Sequence, residues 1–206
     1  MDECRGVPRE DHEALYAEYL ESLKVTHPKL RIIPKDESLF NRVIDRVLRI
    51  LTFGKQNSYM TDFTTTLGNR IYVPYSWRYT SAAERYCTMR HEVVHVRQFR
   101  RFTWPGIALL YLLVPLPAVF AMGRAGIELE AYRESLRATW QVYGAAAAKS
   151  ETLMNHIVQR FTGPDYGWMW VHGKSVRRAL EKTLRELEAC PPARLVVVGS
   201  RSRPVA

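Results

Sequence analysis

The sequence predicts an α+β fold, mainly helical, with a small antiparallel or mixed sheet placed before its most informative helix. Three observations carry this. Apolar residues recur at the 3.6-residue period over most of the chain. A Thr- and aromatic-rich stretch from Ser58 to Tyr75 is interrupted by Gly68-Asn69, the signature of a β-hairpin. Directly afterwards, Ser81-Ala82-Ala83-Glu84 is a capping box, in which serine and glutamate satisfy each other's exposed amides and so start a helix.

In chain order, Leu15, Tyr19, Leu20 and Leu23 predict an amphipathic helix over 9–24, and Lys29 to Pro34 reads as a short strand. Asp36 or Ser38 can cap a second helix, whose apolar set Leu39, Phe40, Val43, Ile44, Val47, Leu48 and Leu51 follows the helical period closely. The hairpin comes next, and the capping-box helix is expected to run to about Arg101. Helical patterns return at about 120–144 and 150–161, an aromatic Gly/Pro stretch fills 163–173, and an amphipathic helix runs from Ser175 to about Ala189. Residues 1–190 read as a single domain and 191–206 as a C-terminal tail.

Composition narrows the function classes. The 206 residues, 47% hydrophobic and 25% charged, exclude a disordered chain, a collagen, a coiled-coil rod and a disulfide mini-protein. A net charge of +9 favours anionic partners. The basic residues are scattered, however, without an RNP-like motif, zinc-finger spacing or lysine block, so nucleic acid is not the expected partner. Cys4, Cys87 and Cys190 are odd in number and widely spaced, which supplies neither a disulfide framework nor a CxxC metal clip. The N-terminal stretch has no apolar signal region, so the cytoplasm is the default expectation.

Chemistry concentrates in His91-Glu92-Val93-Val94-His95, an HExxH motif inside the capped helix. Residues four apart sit one turn apart on the same helical face, so both imidazoles can reach one Zn²⁺. Glu92 falls on the neighbouring flank, where it can take a proton from a zinc-bound water and later donate it to a leaving amine. The competing reading is a pair of ordinary surface or core histidines. Cys87, four residues before His91 on that face, reads as a packing residue rather than a ligand.

A catalytic zinc site needs a third protein ligand. Downstream lies Glu128-Leu129-Glu130-Ala131-Tyr132-Arg133-Glu134. Glu128 and Glu130, two apart on a helix, point away from each other by roughly 200°, so only one can face the histidines. At this point the chain resembles gluzincin-type zincin metallopeptidases, in which HExxH is followed by a helix supplying a glutamate ligand. The resemblance rests on about a dozen residues in two segments.

An ExxA(D/N)-like register assigns the ligand to Glu128, with Tyr132 where that pattern carries Asp or Asn. A thermolysin-like ExxxD register is the alternative and assigns Glu130, with Glu134 orienting a histidine. The resemblance also implies a zincin-like fold, a peptide or protein substrate, and an edge strand, Thr64 to Leu67 or Ile71 to Pro74, that pairs with extended substrate. Tyr132 could polarise the scissile carbonyl, as could Tyr166, His156 or His172.

Between the two motifs, Phe102 to Gly123 carries no charge and is flanked by Arg100, Arg101 and Arg124. As one helix it would reach roughly 33 Å, enough to span a bilayer. A straight span would put His95 and Glu128 on opposite sides of that bilayer. A shared zinc therefore requires an apolar hairpin at 102–123, turning at Val114-Pro115-Leu116-Pro117, either buried in the fold or in peripheral contact with a membrane. The expected function is zinc-dependent peptide hydrolysis; the alternative is a non-catalytic membrane-associated or scaffold protein with a zincin-like fold.

Overall fold

The computed structural model describes residues 11–51, 54, 58–112, 119–163 and 172–192. The order of elements is α1 (His12–Thr26), β1 (Arg31–Pro34), α2 (Leu39–Leu51), β2 (Thr65–Leu67), β3 (Arg70–Val73), α3 (Ala82–Leu112), α4 (Val119–Tyr143), α5 (Ala145–Ala148), α6 (Glu151–Thr162) and α7 (Gly173–Ala189). The chain is thus mainly helical with one small sheet.

Turn chemistry sets the hairpin. Gly68 adopts φ 61°, which an L side chain rarely tolerates, and this lets β2 and β3 pair with Thr66 opposite Ile71 and Leu67 opposite Arg70. β1 joins the other side of β3 in parallel, Ile32 opposite Ile71. The sheet is therefore mixed, with order β1-β3-β2. Because β3 is the central strand, Ile71 to Pro74 is not an edge, which corrects one of the two expectations for a substrate strand; β2 is terminal.

The capping box forms as read. The Glu84 amide donates to Ser81 Oγ at 3.3 Å and the Ser81 amide donates to Glu84 Oε2 at 3.2 Å. The helix it starts does not end near Arg101 but continues to Leu112. The loss of charge at Phe102 is a change of composition and not of backbone, for the helix passes even through Pro105-Gly106. The expected turn at Val114–Pro117, Tyr166, Cys4 and the tail beyond Pro192 lie outside the described residues. Among the described residues, no helix is long and apolar enough to cross a membrane.

α3 and α4 lie side by side, and α4 contributes to two cores. On one side Leu15 of α1, Ile71 of β3, and Tyr86 and Met89 of α3 are buried together. On the other, Leu136 of α4 packs with Ile157 and Phe161 of α6 and Leu180 of α7. A clamp ties α3 to α4 one residue before the HExxH motif: Arg90 Nε donates to Glu134 Oε1 at 2.7 Å and its Nη1 donates to Gln141 Oε1 at 2.8 Å.

α2 departs from its pattern. Leu39, Phe40, Val43, Val47 and Ile50 are exposed, whereas Asn41 is fully buried. The cause is a polar anchor: Tyr59 donates its hydroxyl to Asn41 Oδ1 at 2.7 Å, and the neighbouring buried Lys35 donates to the Tyr59 carbonyl at 2.7 Å. These bonds draw the polar side of the helix inward and leave the apolar stripe outside.

Candidate metal centre

His91 and His95 lie one turn apart on α3, and α4 brings Glu128 opposite them. His91 Nε2 and His95 Nε2 are 3.2 Å apart, and each is 3.7 Å from Glu128 Oε2. All three residues are largely buried, Glu128 at 2% exposure. The three ligand-type atoms form the one group of three or more His, Cys, Asp or Glu side chains among the described residues close enough to hold a metal ion. Tetrahedral zinc with N and O ligands at about 2.05 Å would separate neighbouring ligand atoms by about 3.3 Å, so the spacing and the His₂Glu donor set fit that ion.

The surrounding hydrogen bonds decide the tautomers. Ser135 Oγ donates to the Ala131 carbonyl at 3.2 Å, so at 3.0 Å it accepts from His91 Nδ1. Gln98 Nε2 donates to the Ile127 carbonyl at 3.0 Å, which fixes the amide and leaves its Oε1 to accept from His95 Nδ1 at 2.9 Å. With both Nδ1 atoms donating, both Nε2 lone pairs face the Glu128 carboxylate. Such a convergence attracts positive charge. Burial alone pulls the His91 pKa down, but the hydrogen bond its protonated ring donates to Glu128 and the charges of Glu92 and Glu128 outweigh it and hold it above the ordinary imidazole value.

Glu130 is not in this group. It is exposed and accepts from Gln98 Nε2 at 2.9 Å, so it stands behind His95 rather than facing it. Glu134, the carboxylate of the alternative register, is bound to Arg90 instead of a histidine. Glu92 is 7% exposed and accepts from Thr66 Oγ1 of β2 at 2.6 Å, a bond that ties the edge strand to the motif helix.

Tyr132 sets its ring edge-on to His91, centroids 4.9 Å apart, and leans on Phe161. It lines an open cleft of about 630 Å³ that runs past His91 and Glu92 between the loop before β2 and helix α6, with Phe63, Trp77, His156 and Arg160 also on its walls. His172 is the N-cap of α7 and is not one of the residues on these walls. The metal-type cluster therefore opens onto a space wide enough for a chain segment rather than a single water.

Thr66, Gln98 and Ser135, which bond to Glu92, His95 and His91, are neighbours of the candidate site that motif reading does not reveal. Two had a signal in the helical phase, since Gln98 follows His95 by three residues and Ser135 follows Glu128 by seven. Thr66 had none, because its contact with Glu92 depends on how the hairpin docks on α3. Comparison with known proteins adds no relative: no family model matches the chain, and neither a curated protein nor a solved structure is significantly similar to it.

Proposed function

We propose that the chain is a zinc-dependent metallopeptidase. The observation that carries this reading is the convergence of His91 Nε2, His95 Nε2 and Glu128 Oε2, with a Glu92 carboxylate anchored beside them and a cleft in front. His91, His95 and Glu128 are the ligand set. Zinc bound there supplies Lewis acidity toward water and the substrate carbonyl. Glu92 accepts the proton of the attacking water and passes it to the leaving amine. Thr66 donates to one Glu92 oxygen and so holds the carboxylate while the other oxygen works. Ser135 and Gln98 keep the imidazole rings in the ligating tautomer.

An extended peptide is the substrate class that suits the surroundings. β2 is the terminal strand of the sheet beside Glu92, and main-chain pairing along such an edge would lay a peptide across the cleft. Tyr132 and His156, on the cleft wall, are the candidates for contact with the scissile carbonyl.

Elemental mass spectrometry on untagged protein tests the metal: about one zinc per chain is expected, falling to near zero in His95→Ala. A peptide-library digest then tests the chemistry, with Glu92→Gln as control. That substitution keeps an acceptor for Thr66, so the fold is retained while turnover falls by roughly 10² to 10⁴. Bound zinc with no cleavage of any peptide would overturn the peptidase reading, and no zinc after refilling would overturn the metal site.

A further inference from the structure

α2 inverts the usual rule of burial. Its polar Asn41 is fully enclosed, while Leu39 and Ile50 are 72% and 68% exposed and Val43 is 61% exposed. The bond from Tyr59 to Asn41 fixes that orientation, so the outward apolar stripe is built into the fold. Arg42, Arg46 and Arg49 are exposed too. At 100° per residue they fall within roughly 60° of one another and directly border the stripe. Asp45, the one acid on the helix, is paired with Arg49 at 2.8 Å. The outward surface of α2 is thus half apolar and half cationic.

We propose that α2 docks on an anionic lipid surface, its apolar stripe entering the acyl boundary and its arginine row lying against the headgroups. A helix that lies in a membrane interface needs this pairing of a hydrophobic face with flanking cations. Charge complementarity selects an acidic membrane over a neutral one, and the chain's net charge of +9 points the same way. The contact lies in a different part of the chain from the metal-type cluster and does not depend on it. Its consequence is that the protein would work on material held at a membrane surface.

Co-flotation with vesicles of phosphatidylcholine alone, or of phosphatidylcholine with phosphatidylglycerol, tests this on the full chain. Binding is expected only to the acidic vesicles and is expected to weaken in high salt. Arg42→Gln/Arg46→Gln should weaken it by about fivefold per charge removed. Val43→Asp/Val47→Asp should weaken it by at least about tenfold. Both pairs are exposed, so melting curves should match the wild type; if the valine pair fails that check, Ile50→Asp at the helix end replaces it. The proposal is overturned if wild type floats with neither vesicle. It is equally overturned if the valine variant floats undiminished, or if wild type is a dimer that ignores lipid and Val43→Asp/Val47→Asp makes it a monomer.

Discussion

Gln98→Met is the most discriminating perturbation of the candidate centre. Methionine has nearly the volume of glutamine and the site is 3% exposed, so packing is conserved while three hydrogen bonds vanish. Those bonds run to His95 Nδ1 at 2.9 Å, the Ile127 carbonyl at 3.0 Å and Glu130 Oε2 at 2.9 Å. The Ile127 carbonyl keeps its intrahelical partner and Glu130 turns to water, so both losses are small. The His95 Nδ1 proton is the buried group left over. One such orphan costs about 1–3 kcal/mol of folding stability. Loss of ring orientation should weaken zinc by about 10- to 100-fold.

A competition titration against a chromophoric chelator measures that change, with two comparison variants. Glu130→Gln should bind zinc within about threefold of wild type, because Glu130 touches Gln98 and no ligand atom. Glu128→Gln should bind more weakly than Gln98→Met, because it removes the anionic ligand itself. Wild-type affinity in Gln98→Met would show that the tether does not orient His95. Loss of zinc in Glu130→Gln with retention in Glu128→Gln would refute the assignment of the third ligand.

Further expectations concern the scaffold. Ser81→Ala removes the cap of α3 and should cost about 1 kcal/mol, a fall of roughly 2–4 °C in melting temperature for a chain of this size. Burial lowers the Lys35 pKa to about 7, against the opposing charges of Glu92 and Asp45. Between pH 7 and about 10.5 the folded chain has therefore shed a proton that the unfolded chain keeps. Stability should rise across that window, by at most about 1.4 kcal/mol per pH unit, and urea titrations of Lys35→Met should show the rise flattened. Burial also pushes the Cys87 thiol up to about 12, whereas Cys190 is exposed, so maleimide at pH 8 should label Cys190 and spare Cys87, as peptide mapping can check.

Local signals in the sequence translated into structure wherever the physics was local. The Ser81–Glu84 box, the Gly68 turn and the four-residue spacing of His91 and His95 each involve atoms within a few residues, so composition suffices to read them. The end of α3 is not legible in the charge pattern, because charge stops at Arg101 while helical backbone does not. α2 was legible as a helix, but which face it buries was not. That depends on Asn41 finding Tyr59, eighteen residues away, and a single satisfied polar contact there outweighs the apolar periodicity. Glu128 against Glu130 was a choice between opposite faces of one helix. Only the packing of α4 on α3, set by Arg90, Glu134 and Gln141, turns one of them toward the histidines.

The same packing explains why an HExxH string is not by itself a site. Each chemical group on α3 is held by an element other than its own turn of helix: His91 by Ser135 of α4, His95 through Gln98 by the main chain of α4, and Glu92 by Thr66 of β2. An isolated helix with this sequence would present two freely rotating imidazoles and a solvated carboxylate, and would have to restrict all three at the moment of binding. In the folded chain that restriction is made in advance by tertiary contacts, and this preorganisation is what the proposed ligand set has beyond its spacing. The packing of α4 on α3 is therefore as much part of the candidate centre as the three side chains, because it sets a glutamate against histidines thirty-odd residues earlier.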